Sequence, residues 1–279
     1  MQSNDGRQRT LRRLTNRQFD EVEALLRGST IRPDECPTCG SRKTEVAPNT
    51  GVYDWPASTY CFDGKTRQCD CADQVLLYRH YLLARIPQEY MILSEQDWAG
   101  DPKALQAAVD YLEDWEGLRR FGMGIGFYSE EQGTGKTFLA MWIAKALLKQ
   151  GESVYCTYFR DMVSVFELPI EERKEEEARL KDCNILVLDE IARPISNGQQ
   201  GLFAEKFEAL IRHRSNYNKV TILTTNLTPD ELDDIYPRTY SLLRAKERSV
   251  EVEGKDARRE KVWDLKKELV ENGEARPII

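Results

Sequence analysis

No apolar stretch among the 279 residues approaches the roughly 20 that a membrane-spanning helix requires, so no such span is expected. The first twenty residues carry five Arg with no apolar run behind them, which is not the pattern of a secretory leader. A cytoplasmic protein is expected. The chain also lacks an excess of positive charge. Its net charge is −7, and a local +3 over residues 1–20 leaves −10 for the remainder. Such an acidic whole argues against broad, non-specific duplex binding, although a local basic lining suits a single strand. With 41% hydrophobic and 31% charged residues the composition is that of a globular protein, and the length suggests one substantial core with a small accessory module.

Cysteine is unevenly placed. Five of the seven, Cys36, Cys39, Cys61, Cys69 and Cys71, fall within 36 residues, the first two in CPTCG and the last two in CDC. In a cytosolic setting disulfides are disfavoured, and paired thiolates at this spacing suit tetrahedral zinc. The expected ligands are Cys36, Cys39, Cys69 and Cys71, with Cys61 as an alternative to either of the last two. Four thiolates leave no open position, so the role is structural. Residues 31–71 are rich in Pro, Gly, Thr and Asp and too short for a core without metal. Cys156 and Cys183 read as ordinary buried residues.

Ahead of this module, Leu11, Leu14, Phe19, Val22, Leu25 and Leu26 recur at helical spacing up to Gly28. This basic amphipathic helix either docks a partner or packs on the cysteine module. A second helix is expected over 72–84, stopped by Pro87, and a third over 103–119 with Leu105, Ala108, Val109, Leu112, Trp115 and Leu118 on one face. The segment between them, 86–101, is mixed in character. From there on, short apolar runs at 125–128, 154–158, 184–188, 220–224 and 249–252 alternate with helical patterns. The charged run EERKEEEARLKD reads as a solvated helix face. Thr228, Pro229 and Glu231 spell a capping box with Pro at the first helical position. The expectation is an α/β fold, a parallel sheet covered on both faces. The division is 1–30 for the first helix, 31–85 for the cysteine module with its following helix, and 86–279 for the α/β domain.

Between the first apolar run and its helix lies EEQGTGKT, Glu130 to Thr137. Gly133 and Gly135 let the backbone curl so that its amides, with that of Thr134, face phosphate oxygens. Lys136 supplies charge and Thr137 a hydroxyl for Mg2+. Glu130 stands where this pattern usually has Gly, a carboxylate beside a polyanion. Fifty-two residues beyond Thr137, the run ILVL ends in Asp189 and Glu190, at the strand end where open α/β sheets bind their ligands. Asp189 suits a magnesium role and Glu190 a base that polarises water. A further strand end carries Thr224, Thr225 and Asn226, and Asn226 suits either the lytic water or a γ-phosphate oxygen.

The order EEQGTGKT, LVLDE, TILTTN, RTYSLLR and GKDARR resembles the AAA+ ATPases of the DnaC/DnaI helicase-loader and IstB group over roughly residues 86–272. CPTCG and CDC, followed by LYRHYLLARIPQEY, are similar to zinc-bearing phage and bacterial replication loaders. The resemblance implies an AAA+ fold with a reduced C-terminal lid and ATP bound at subunit junctions of a homo-oligomeric ring or spiral. It also implies a replicative DNA helicase and single-stranded DNA as partners. It further implies an arginine acting in trans, Arg238 or Arg244. The usual Ser-Arg-Leu run is here Ser241, Leu242, Leu243, which leaves open that this arginine is absent. Arg258, or its neighbour Arg259, matches the arginine that touches phosphate in cis. The segment Met162 to Phe166 matches a DNA-facing element, where Tyr158, Phe159 and Arg160 could stack and contact phosphate, although aromatic residues after a strand are more often core. Three functions follow: an ATP-driven helicase loader with slow hydrolysis, a transposition helper ATPase of the IstB kind, or a nucleotide-switched adaptor that turns over poorly.

Overall fold

The computed structural model of the chain describes residues 80–91, 93–193 and 200–254. The expected helix over 8–27, the whole cysteine set (Cys36, Cys39, Cys61, Cys69, Cys71), most of the helix over 72–84, Arg258, Arg259 and the lid lie outside them. Two compact units are present, Met1–Leu82 with Leu148–Gly151, and Leu83–Leu147 with Glu152–Ile279. Of the first, residues 80–82 are helical and 148–151 form the end of a helix and a turn with Gly151 at φ 92°. No helix among the described residues is long and apolar enough to cross a membrane.

The second unit opens with a linker holding α1 (Gln88–Met91) and a single 3-10 turn (Glu95–Asp97). α2 (Pro102–Glu113) starts where Asp101 accepts the Lys103 amide at 2.9 Å with Pro102 at the first position, and α3 (Trp115–Phe121) stops at Gly122 in the left-handed region. The continuous helix expected over 103–119 is thus broken at Asp114. Its buried stripe is only in part the expected one. Ala108 and Trp115 are buried as expected, with Ala104, Ala107 and Tyr111, whereas Leu105, Val109 and Leu112 are half-exposed. The hydroxyl of Tyr111 donates to the Met123 carbonyl at 2.8 Å.

Then follow β1 (Gly124–Tyr128), α4 (Lys136–Lys149), β2 (Val154–Tyr158), α5 (Phe159–Val165), α6 (Ile170–Asp182), β3 (Ile185–Ile191), α7 (Gln200–Asn216), β4 (Val220–Thr225), α8 (Pro229–Ile235), α9 (Pro237–Arg244) and β5 (Glu247–Glu251). All pairings are parallel, in the order β2-β3-β4-β1-β5. The connections β2 to β3, β3 to β4 and β4 to β5 all step toward the same edge. Right-handed crossovers therefore put their helices on one face. Residues of α5, α6, α7, α8 and α9 do share one core cluster with Leu186, Leu188 and Leu223. The β1 to β2 connection steps the other way, which sends α4 to the opposite face. Ile125, Phe127, Ile185, Val187 and Ile222 are buried outside that cluster, as side-chain alternation along a strand requires.

The charged α6 buries only Leu180, and its outer face is laced by pairs such as Arg173–Glu177 and Lys181–Glu177. The capping box at α8 has both of its bonds, Glu231 amide to Thr228 Oγ1 at 3.2 Å and Thr228 amide to Glu231 Oε2 at 3.0 Å.

Candidate functional site

The reversal of direction at β1 makes a crevice at the carboxyl ends of the strands. The chain leaving β1 turns to one face and the chain leaving the adjacent β4 turns to the other. The phosphate-loop sequence occupies that crevice. It is pinned at its start by the Ser129 amide, which donates to the Thr225 carbonyl of β4 at 3.2 Å. Gly133 and Gly135 take φ of 73° and 95°, the left-handed region where a Cβ is strained. Lys136 is buried, and its ammonium donates to the Glu131 carbonyl at 2.9 Å and to Thr134 Oγ1 at 3.3 Å. Glu130 and Glu131 are exposed, so the acid at the usual Gly position faces solvent rather than the loop interior.

Across the crevice, β3 carries Asp189 with 1% of its surface exposed. Two hydroxyls donate to the same Oδ1, Thr137 at 2.9 Å and Thr224 at 2.5 Å. Burial pushes the Asp189 carboxyl above the usual carboxylate range, and these two hydrogen bonds oppose the shift. Glu190 is exposed and sits at φ 58°, where a residue with a Cβ rarely settles. Its amide donates to Thr224 Oγ1 at 2.9 Å, and the β3–β4 register is irregular between Leu188 and Ile191. Asn226 is exposed immediately after β4. The geometry thus joins Lys136, Thr137, Asp189 and Glu190 at one strand-end crevice, with Asn226 at the end of the next strand.

The arginines are elsewhere. Arg238 and Arg244 lie on α9, both exposed, and Arg238 reaches no closer than 3.9 Å to Glu208. Of the alternatives of stacking and core, Phe159 takes the core, buried edge-on against Phe207 and Tyr236, with ring centroids 5.0 and 6.0 Å away. Its position as the first residue of α5 turns it into the core. Tyr158 is 41% exposed and Arg160 is exposed.

Beside Asp189 lies a cavity of about 110 Å³ lined in part by Met141, Cys156, Thr157, Tyr158 and Asp161. It is smaller than the roughly 300 Å³ of an ordinary ligand pocket. Cys156 is buried and Cys183 half-buried, neither in a disulfide; burial pushes both thiols up. Among the described residues no cluster of His, Cys, Asp and Glu is placed to hold a metal by itself.

Two residues at this site were not assigned a role by sequence reasoning. Thr224 was legible only as part of a strand end, because the Leu188–Leu223 register that sets it beside Asp189 comes from strand pairing. Trp98, in the mixed linker, rests against the loop. A methyl group added to Gly135 would fall 2.5 Å from its Cζ3 atom.

Residues 127–243 match the family model described as IstB-like ATP binding protein. No curated protein matches the chain. Among solved structures, DnaI is 20% identical, with a TM-score of 0.52, and the match covers 60% of this chain and 95% of that one. A proposed primosome component from Streptococcus pyogenes serotype M3 is 22% identical with a TM-score of 0.50, covering 61% and 91%. The shared feature is the fold. Like them, this chain has a parallel α/β sheet flanked by helices.

Proposed function

We propose that this chain binds ATP with Mg2+, hydrolyses it slowly, and acts as a helicase loader. In this reading it grips a ring-shaped replicative DNA helicase and assembles as a homo-oligomer on single-stranded DNA. The observation that carries the nucleotide reading is the 2.9 Å hydrogen bond from Thr137 Oγ1 to Asp189 Oδ1, which joins the phosphate loop to a buried carboxylate at the next strand end but one. The two oxygens suit a hard cation held by one hydroxyl, one carboxylate, water and phosphate. Bound there, Mg2+ would neutralise charge on the β- and γ-phosphates.

In this reading the amides of Gly133, Thr134 and Gly135 and the Lys136 ammonium hold the phosphates. Glu190 polarises the attacking water, and Asn226 orients that water or a γ-oxygen. Arg258 acts in cis, and Arg238 or Arg244 reaches the nucleotide of a neighbouring copy. An arginine finger contributes on the order of 10³ to 10⁵ in rate. With Leu242 in place of the usual arginine, turnover is slow. Cys36, Cys39, Cys69 and Cys71 hold a structural zinc that lets the amino-terminal module contact the helicase.

The loader reading is supported by the ordered motifs and by fold likeness to DnaI and the streptococcal primosome component. The match to the IstB-like model favours one second reading, a transposition helper ATPase. Capture with the full chain separates them, since recovery of a replicative helicase supports the loader and recovery of a transposase overturns it. Lys136→Ala is expected to abolish ATP binding, and retained affinity would overturn the phosphate-loop assignment. Metal analysis is expected to find one zinc per chain; seven reactive thiols in metal-free native protein would remove the zinc set.

A further inference from the structure

We propose that Trp98, backed by Phe138, is a stacking platform for the nucleobase, and that the site takes nucleoside triphosphates with little regard to the base edge. This rests on the nucleotide reading above and adds the part of the ligand that the phosphate loop does not touch. In a loop of this kind the backbone amides cradle the α- and β-phosphates up to the first turn of the following helix, so the nucleoside leaves near that turn. In this chain that turn contains Phe138, directly after Thr137. The Trp98 and Phe138 rings lie with centroids 5.2 Å apart, tilted by 43°.

The indole is held in place from several sides. Its benzo edge lies between two glycines: methyl groups at Gly100 and Gly135 would fall 2.6 and 2.5 Å from its carbon atoms, so a side chain at either would displace it. Its Nε1–H donates to the Asp101 carbonyl at 3.1 Å. The linker carrying it is tied to α4 by the buried Lys145, whose ammonium donates to the carbonyls of Met91 and Leu93. Trp98 nevertheless remains partly exposed. A large aromatic side chain fixed against this loop while still partly exposed is preorganised to bind a flat partner, because little rotamer freedom is left to lose on stacking.

The linker's polar groups explain the tolerance. Asp97 Oδ2 accepts from the Ser94 amide and hydroxyl at 2.7 and 3.0 Å, and the Asp101 carboxylate accepts from the amides of Lys103 and Glu253 at 2.9 and 3.3 Å. These groups bind the linker's own frame rather than a base edge. Stacking without edge contacts discriminates poorly, since every base has a π-face.

The test measures affinities of ATP, GTP and inorganic tripolyphosphate for the full chain and for Trp98→Phe, Trp98→Leu and Trp98→Ala. Base stacking at this strength predicts that Leu and Ala weaken ATP and GTP by about ten-fold or more. Phe retains most of the affinity, and tripolyphosphate is unchanged throughout. ATP and GTP are expected within about five-fold of each other. ATP, but not tripolyphosphate, should quench tryptophan emission in the wild type, and Trp98→Phe should lose that quench. Equal loss of ATP and tripolyphosphate affinity would make Trp98 a packing residue and overturn the proposal. So would unchanged ATP affinity in Trp98→Leu, tighter ATP binding in Trp98→Ala, or a more than ten-fold preference for ATP over GTP. A wild-type chain that binds none of the three ligands would sink the nucleotide reading itself, a result distinct from all of these.

Discussion

Thr224 Oγ1 donates to Asp189 Oδ1 at 2.5 Å and accepts the Glu190 amide at 2.9 Å, so one hydroxyl on β4 holds both acidic residues at the end of β3. The bridge sits among buried groups, where a lost partner is not replaced by water. Thr224→Val keeps the shape, removes the donor to Asp189 and leaves the Glu190 amide unpaired. A loss of about 1–3 kcal/mol in urea unfolding is expected, together with a fall in ATP hydrolysis. Thr224→Ser keeps the hydroxyl and should retain most of both. A stable, fully active Val variant would show that the bridge positions nothing.

Glu190 occupies the left-handed region at φ 58° while its side chain is exposed at the strand-end crevice. Such a backbone costs about 1–3 kcal/mol and persists where the surroundings impose it. If the carboxylate activates water, Glu190→Gln should bind ATP normally and lose hydrolysis by roughly 10² or more. Parallel measurement of nucleotide affinity and phosphate release separates the two effects. Glu190→Gly should be inactive yet about 1 kcal/mol more stable, because Gly adopts this φ without strain. Unchanged phosphate release in Glu190→Gln would remove it as the base.

Much of this was legible in the sequence because it is local. Apolar runs marked the strands, glycines marked the loop, and Thr228-Pro229-Glu231 marked a helix start that has both capping bonds. What could not be read depends on neighbours distant in sequence. The register that sets Thr224 beside Asp189 is a property of strand pairing. On the buried side of α2 the Tyr111 hydroxyl reaches the Met123 carbonyl, a contact no helical period encodes. Trp98 lies in a linker without periodicity, and only its approach to Gly135 gives it meaning. For Phe159 the sequence leaves stacking and core as alternatives, and the helix start turns it into the core.

Arg214 is fully buried without a carboxylate partner among its hydrogen bonds. Its guanidinium donates to the carbonyls of Leu180 at 2.8 Å, Cys183 at 3.1 Å and Val220 at 2.5 Å, and to Thr221 Oγ1 at 3.2 Å. It closes the C-terminal end of α6, where carbonyls lack helical partners, and ties α7 to the start of β4. Burial lowers its pKa, yet an arginine remains charged. Arg214→Leu fills part of the volume and leaves these carbonyls unsatisfied, at about 1–3 kcal/mol for each buried group left unpaired, partly offset by removing a buried charge, so a net loss is expected. Arg214→Lys should recover only a fraction, because an ammonium has three donors and no planar fork. Chemical denaturation of both variants measures this, and a loss under 1 kcal/mol in the Leu variant would show that the network is dispensable.

Glu247 opens β5 with its carboxylate folded over Gly126 of β1, where a methyl group would fall 2.0 Å from Oε1. Ser249 Oγ donates to Oε1 at 3.2 Å, and Oε2 is buried without a partner among the described residues. Burial raises the carboxyl from 4.5 to about 7, and the Ser249 hydrogen bond only partly opposes the shift. Because the folded pKa lies above the unfolded one, the folded chain keeps a proton between pH 4.5 and 7 that the unfolded chain has released. This contribution to stability is complete below pH 4.5 and is lost as pH rises through 7. Across that window the loss approaches about 3 kcal/mol. Glu247→Gln cannot ionise, so the difference in urea stability between Glu247→Gln and wild type should grow in favour of the variant from pH 5 to pH 8. A difference that stays constant across that range would place the carboxylate in contact with water.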